Sequence, residues 1–120
     1  MSTTYELVLP WPPSINHYYI NTGRRLVLSA AGREYRDAVA VALSLVFAGT
    51  LEGAVRMEVD LYPPDRRRRD MDNVQKALWD ALQHAGAYRD DAKIKSFACE
   101  MRDVEPCGKV VVRLWERSEP

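Results

Sequence analysis

The chain has 120 residues, with 17 Lys or Arg against 17 Asp or Glu, so its formal net charge at pH 7 is zero. This length predicts a single domain, residues 1–120, that can bury a core without disulfide or metal staples. Zero net charge excludes long-range attraction of a polyanion by the whole molecule, so nucleic-acid binding would require clustered basic residues.

The first part of the chain predicts a strand, a hairpin and a helix. Residues 5–9 alternate apolar and polar side chains, which indicates a strand. Prolines within 10–16 end it, since proline cannot donate to a strand ladder. A hairpin is predicted around 21–23. Ser29 is a candidate N-cap for a helix that reaches about Ala48, before a glycine.

The second part predicts a strand, a helix and two further strands. Residues 55–61 alternate as a strand, and two prolines follow. An apolar stripe at helical spacing begins near Asp72, and Gly86 closes the helix. Strands are predicted over 94–101 and 109–115. This order predicts an α+β fold with a mixed β-sheet and two main helices packed on one face. The tail, 116–120, is expected to fray.

Cysteine usage and hydropathy limit the setting of the chain. Cys99 and Cys107 form no disulfide framework, and they lack zinc-type spacing with the two histidines. No stretch approaches the roughly 18 apolar residues of a membrane span, and no secretion leader is recognisable. We expect a cytoplasmic protein without membrane contact or organic cofactor.

The strongest chemical signal is a run of positive charge placed directly before an acidic pair. Arg66–Arg69 precede Asp70 and Asp72, at the start of the second helix. Lys76 lies four residues after Asp72 and is therefore its neighbour on the helix surface. A second acidic pair, Asp90–Asp91, follows the helix, and a returning chain would bring it beside the first.

Clustered carboxylates of this kind suit a divalent cation. Mg²⁺ prefers oxygen ligands, usually one or two carboxylates with water and substrate phosphate. Such an ion supports phosphodiester hydrolysis by activating water and stabilising the leaving oxygen. Lys76 could stabilise transition-state charge, and arginine guanidinium groups hold backbone phosphates by forked hydrogen bonds. The pattern therefore predicts a metal-dependent nuclease site.

Simpler explanations exist for each of these features. Acidic residues cap helices and favour the positive end of the helix dipole. Asp72 and Lys76 have the spacing of a surface ion pair, and four arginines can form a solvated turn. The residues alone leave three interpretations open, namely a metal-dependent nuclease, a nucleic-acid binder without catalysis, and neither of these.

The stretch DRRRRDMDNVQKALWDAL, followed by GAYRDDAKI, resembles the RusA family of Holliday junction resolvases. The segments LPWPPSINHYY and LSAAGREYRDAV resemble the same family, so the similarity covers nearly the whole chain in the right order. The resemblance implies Asp70, Asp72 and Asp91 as catalytic acids that bind Mg²⁺, for which Mn²⁺ can substitute. It implies Lys76 as a catalytic lysine.

The resemblance also implies partners and a reaction. Family members are homodimers that bind four-way junction DNA and make paired nicks in strands of like polarity, by Mg²⁺-dependent hydrolysis. A non-catalytic branched-DNA-binding accessory protein is the alternative. The expected DNA-binding residues are Arg66, Arg67, Arg68, Arg69, Asn16, Asn73 and Lys93. Tyr18, Tyr19 and Arg24 are candidates either for DNA contact or for loop packing. Relatives are expected to carry an amide at position 93.

Overall fold

The structure is a computed structural model that describes residues 3–117. In chain order its elements are β1 (Tyr5–Leu9), α1 (Ile15–Tyr18), β2 (Tyr19–Asn21), β3 (Leu26–Leu28), α2 (Ala30–Ser44), β4 (Val55–Tyr62), α3 (Met71–Ala85), a 3₁₀ turn (Asp91–Lys93), β5 (Ile94–Met101) and β6 (Lys109–Glu116). None of the described helices is both long enough and apolar enough to cross a membrane.

Four strands form one mixed sheet in the order β1-β6-β4-β5. Strand β6 pairs antiparallel with both β1 and β4, whereas β4 pairs parallel with β5. A parallel pair requires a crossover connection, which α3 provides here. The mixed sheet and the α+β class are thus confirmed, and β5 lies at the edge of the sheet.

One face of the sheet carries the hydrophobic core. Alternate residues of β4, from Val55 to Leu61, are at most 1% exposed and belong to the same cluster as residues of α2 and α3. Val39 and Leu43 contribute from α2, while Leu78 contributes from α3. Because both long helices present an apolar stripe to this face, the prediction of two helices packed on one face is confirmed.

The other face of the sheet carries a network of ion pairs. Asp60, only 8% exposed, accepts hydrogen bonds from Arg102 and Arg113. Arg113 also pairs with Glu58, and Arg102 with Glu100. Burial would raise the pKa of Asp60, but the hydrogen bonds from Arg113 and Arg102 outweigh it and hold the pKa below its ordinary value. The cations of this face are therefore compensated by neighbouring carboxylates.

The structure differs from the predicted elements at three places. Helix α2 ends at Ser44 rather than near Ala48, and Phe47 stacks on Tyr5 at 4.4 Å between ring centroids. That contact with β1 holds the apolar residues after the helix to the core. Helix α1 was not predicted, because one turn is too short for a periodic pattern. The predicted frayed tail begins at Glu116, which ends β6, and residues 118–120 lie outside the described residues.

Candidate functional site

Two concave surfaces meet at the start of α3. The first, which we name the arginine pocket, has a volume of about 600 Å³ and is lined by Trp11, Pro12, Pro13, Ser14, His17, Arg67, Arg68, Arg69, Asp70, Asn73 and Val74. The second, the α3 groove, has a volume of about 670 Å³ and is lined by Tyr19, Met71, Asp72, Gln75, Lys76, Trp79, Asp80, Gln83, Asp91, Phe97 and Cys99.

The expected site residues divide between these two surfaces. Three of the arginines, Asp70 and Asn73 line the arginine pocket, whereas Asp72, Lys76 and Asp91 line the α3 groove. Asp70 is the extended N-cap residue of α3 and Asp72 lies in its first turn, so these two carboxylates lie where the two surfaces meet. The remaining expected residues, Arg66, Asn16 and Lys93, line neither surface.

The arginine run is internally organised rather than uniformly solvated. The Arg69 guanidinium donates to Asp65 and to the carbonyl of Arg67, and lies 5.6 Å from the centroid of the Trp11 ring. The hydrogen bond from Arg69, together with one from the backbone N–H of Arg67, lowers the pKa of Asp65 to about 2. Arg69 is 19% exposed but Arg67 is 83% exposed. The loop thus fixes one guanidinium and presents others to solvent.

If the exposed arginines contact phosphates, their removal must change the salt dependence of DNA binding. We expect Arg67→Ala together with Arg68→Ala to reduce the slope of log affinity against log salt by about 1.8, since each phosphate contact contributes about 0.9. Electrophoretic mobility shifts at several salt concentrations give the slope. Arg89→Ala, at an exposed arginine paired with Glu52, is the control. An unchanged slope in the double variant would remove both arginines from the DNA interface.

Asp70 and Asp72 do not have the simpler roles of helix capping and surface ion pairing. Asp70 occupies the N-cap of α3, yet its side chain forms no capping hydrogen bond. Within residues 3–117, Lys76 forms no ion pair with Asp72 inside 4.0 Å. Asp90 caps the 3₁₀ turn by accepting a hydrogen bond from the Ala92 N–H. Asp70, Asp72 and Lys76 therefore remain available for a ligand.

The α3 groove runs between α3 and the edge strand β5. Gln75 donates to the Cys99 sulfur at 3.1 Å, and Trp79 contacts Phe97 edge-to-face with ring centroids 5.0 Å apart. Later residues of β5 thus lie beside earlier residues of α3, so the two elements run in opposite directions. Asp91, which precedes β5, consequently lies toward the C-terminal end of α3.

This geometry separates two of the expected metal ligands. Asp72 lies in the first turn of α3, whereas the direction of β5 places Asp91 toward the C-terminal end of that helix. The helix rises about 16 Å from Asp72 to Gln83, the last groove residue of α3. Among the residues that the structure describes, no three His, Cys, Asp or Glu side chains are grouped so that they could hold a metal ion. Asp70, Asp72 and Asp91 of one chain therefore do not fit around a single cation.

Two polar atoms in the groove have no hydrogen-bond partner among the described residues. These are Gln75 Oε1 and Trp79 Nε1, both buried. Two apolar side chains that line the same groove are more than a third exposed, namely Met71 and Phe97. Unsatisfied buried polar atoms beside exposed apolar side chains are features of a surface that a further molecule covers.

Sequence reasoning missed a three-residue network beside the groove. The buried Tyr18 hydroxyl donates to Asp80, and Arg36 donates to the same carboxylate at 2.9 Å. Burial, followed by the hydrogen bond to Asp80, raises the pKa of Tyr18. Tyr18 is fully buried, so of the two roles left open for it, DNA contact and loop packing, the structure favours packing. The sequence feature that could have drawn attention to Asp80 is its spacing, since it lies four residues after Lys76 and therefore on the same face of α3.

Comparisons with known proteins agree on one family. Residues 10–114 match the family model described as endodeoxyribonuclease RusA. The chain is 41% identical over 115 residues to a crossover junction endodeoxyribonuclease of Enterobacteria phage 82, covering 94% of this chain and 95% of the relative. It is 40% identical to the protein of that name in Escherichia coli K12 and 39% identical to that of Shigella sonnei, each over 114 residues and with the same coverage.

Proposed function

We propose that this chain, which belongs to the endodeoxyribonuclease RusA family, is a structure-selective DNA endonuclease that resolves four-way (Holliday) junctions. The reaction is Mg²⁺-dependent hydrolysis of phosphodiester bonds, with paired nicks in strands of like polarity. The relatives are crossover junction endodeoxyribonucleases by name, which supports the nuclease activity and the junction substrate.

The observation that carries the proposal is the meeting of two opposite charges at the start of α3. The arginine pocket ends at Asp70, and the α3 groove begins at Asp72 with Lys76 one turn further along. Arginines bind the phosphates on either side of the cleavage point, and Lys76 stabilises the charge that develops on the phosphate. Asn73 lines the arginine pocket and adds to this contact, whereas Asn16 and Lys93 line neither surface and are proposed to contact DNA outside them.

The three catalytic aspartates require a second chain in this proposal. A divalent cation supplies activation of water and stabilisation of the leaving oxygen in phosphodiester hydrolysis. One chain separates Asp72 from Asp91 along α3, so neither end of the groove holds all three carboxylates. We therefore include the homodimer in the proposed function.

Two-fold symmetry provides the missing proximity. A two-fold axis that passes through the centre of the groove and is perpendicular to α3 places the partner's α3 antiparallel to it. The end with Asp70 and Asp72 then faces the partner's Asp91, and the same arrangement repeats at the other end. This interface covers the exposed Met71 and Phe97 side chains, as well as the edge of β5, which is otherwise a site of unwanted strand pairing.

Cleavage of a synthetic four-way junction tests the proposed function. We expect paired nicks with Mg²⁺ or Mn²⁺, none with EDTA, and none on linear duplex of the same sequence. Denaturing gels with each strand end-labelled report the positions of the nicks. Tight junction binding without cleavage under any divalent cation would instead favour a non-catalytic branched-DNA-binding protein.

A further inference from the structure

The β2–β3 hairpin is a basic element that stands apart from the main sheet. Its two strands form a separate two-stranded sheet, joined by a turn in which the Thr22 N–H donates to the Arg25 carbonyl. No Asp or Glu occurs between residues 10 and 33, although the chain as a whole is neutral. Arg24 and Arg25 are exposed and, among the residues described, form no ion pair within 4.0 Å. The hairpin therefore presents uncompensated positive charge.

Apolar side chains lie beside this charge on both faces of the hairpin. Ile20 is 53% exposed and pairs with Val27, while Leu26 is 64% exposed and pairs with Asn21. Because neighbouring positions of a strand point to opposite faces, Ile20 and Leu26 lie on different faces. Isoleucine and leucine are residues that proteins place against unstacked bases when they kink or open a duplex.

The base of the hairpin is held rigidly against two helices. The Ser29 N–H donates to the Tyr18 carbonyl at 2.9 Å, and Ser29 Oγ accepts from the Gly32 N–H. The backbone at Gly32 approaches so closely that a Cβ there would lie 2.5 Å from the Tyr18 carbonyl oxygen. The Tyr18 hydroxyl is fixed by Asp80 of α3. Anchoring at the base gives the exposed turn a defined position.

That position lies next to the proposed cleavage site. Tyr19, at the start of the hairpin, lines the α3 groove, and His17, two residues earlier, lines the arginine pocket. DNA bound at the start of α3 would therefore extend past the hairpin. Phosphates complement the charge of Arg24 and Arg25, and base faces complement the apolar Ile20 and Leu26.

We propose that the β2–β3 hairpin is a DNA-binding arm that engages the branch point of the junction, with Arg24 and Arg25 on phosphates and Ile20 and Leu26 against base faces that the branch leaves unstacked. The inference rests on the proposed function, because it takes branched DNA as the substrate. It adds a contact that distinguishes a branch from continuous duplex, where bases remain stacked.

The charge contact is tested by junction binding in EDTA across a series of salt concentrations. Arg24→Ala with Arg25→Ala is expected to reduce the slope of log affinity against log salt by about 1.8. The matched control is Arg89→Ala with Arg117→Ala, two exposed arginines at the end of the sheet where β4 begins. The control has the same net charge and is expected to keep the wild-type slope. Equal slopes in the two double variants would overturn the phosphate contact.

The apolar contact is tested by a junction with 2-aminopurine at the branch point. Wild-type binding is expected to raise the 2-aminopurine fluorescence, as unstacking does, and Ile20→Ala with Leu26→Ala to abolish that rise. The same variant is expected to lose at least half of the preference for junction over linear duplex. A fluorescence rise equal to that of the wild type would overturn the branch contact.

The competing explanation is that Ile20 and Leu26 contact a partner chain rather than DNA. Sedimentation of the Ile20→Ala, Leu26→Ala variant distinguishes the two, because loss of the dimer would assign these side chains to a protein interface and overturn the inference. Failure of the proposed function looks different, since the wild-type chain would then cleave no junction. A wild-type chain that cleaves, with hairpin variants that bind and cleave equally well, would refute the hairpin inference alone.

Discussion

Mixing Asp72→Asn chains with Asp91→Asn chains is expected to restore junction cleavage that neither variant performs alone. Each homodimer lacks one carboxylate at both sites, and we expect its turnover to fall by at least about 10³-fold. In a mixed dimer, one site combines the two substituted residues, whereas the other combines intact Asp72 with the partner's intact Asp91. Random reassociation gives about half mixed dimers, hence about a quarter of wild-type activity.

The measurement requires chain exchange, which joint refolding from urea provides. Each restored site cuts one strand, so the expected product is a nicked junction rather than a resolved one. Asp72→Asn mixed with Lys76→Ala is the matched control. Asp72 and Lys76 occupy the same end of one α3, so no mixed site regains both residues and no activity should return. Verified mixed dimers without restored cleavage would contradict sites built from two chains.

Replacing Asp80 with alanine is expected to cost about 2–3 kcal/mol of unfolding free energy. The change leaves the buried Tyr18 hydroxyl without its acceptor, a loss of about 1–3 kcal/mol. It also leaves Arg36 without its partner. The Arg36 and Asp80 side chains are 22% and 28% exposed, so solvent screens part of this loss and the full cost of a broken buried pair does not apply.

Urea unfolding monitored by circular dichroism gives the free energy. Tyr18→Phe, which removes only the hydroxyl, should cost about 1 kcal/mol. Asp37→Ala is the control, because Asp37 is exposed on α2 and should change stability by less than about 0.5 kcal/mol. An Asp80→Ala chain as stable as the Asp37→Ala chain would show that the network does not hold α1 and α2 to α3.

Much of the fold could be predicted from the sequence, because apolar residues recur at a regular spacing in helices and strands that bury one face in the core. Strands β4 and β6, helix α3 and its left-handed end at Gly86 follow from that pattern. Strand order does not, because the parallel pairing of β4 with β5 depends on how α3 returns the chain. Helix α1 spans one turn and carries no periodic signal.

The candidate site was accessible only in part. The residue types and their spacing indicated phosphodiester chemistry, and the comparisons confirm the family. The expected meeting of Asp91 with Asp70 and Asp72 assumed that the chain returns to the start of α3. Instead the chain enters β5 near the C-terminal end of α3, and Asp91, which directly precedes β5, lies at that end. Such separations depend on the direction of packed elements, which short-range patterns do not encode.

The ion-paired face of the sheet has a consequence for how the molecule meets DNA. Its arginines are already matched by Glu58, Asp60 and Glu100. By contrast, Arg24 and Arg25 of the hairpin and Arg68 of the arginine pocket form no ion pair within residues 3–117. A molecule with no net charge but a lopsided distribution behaves as an electric dipole. Its attraction to a polyanion decays faster with distance than that of a net charge, and salt shortens it further. Close to DNA, the field of the phosphates is expected to rotate this dipole so that the hairpin and the arginine pocket face the DNA.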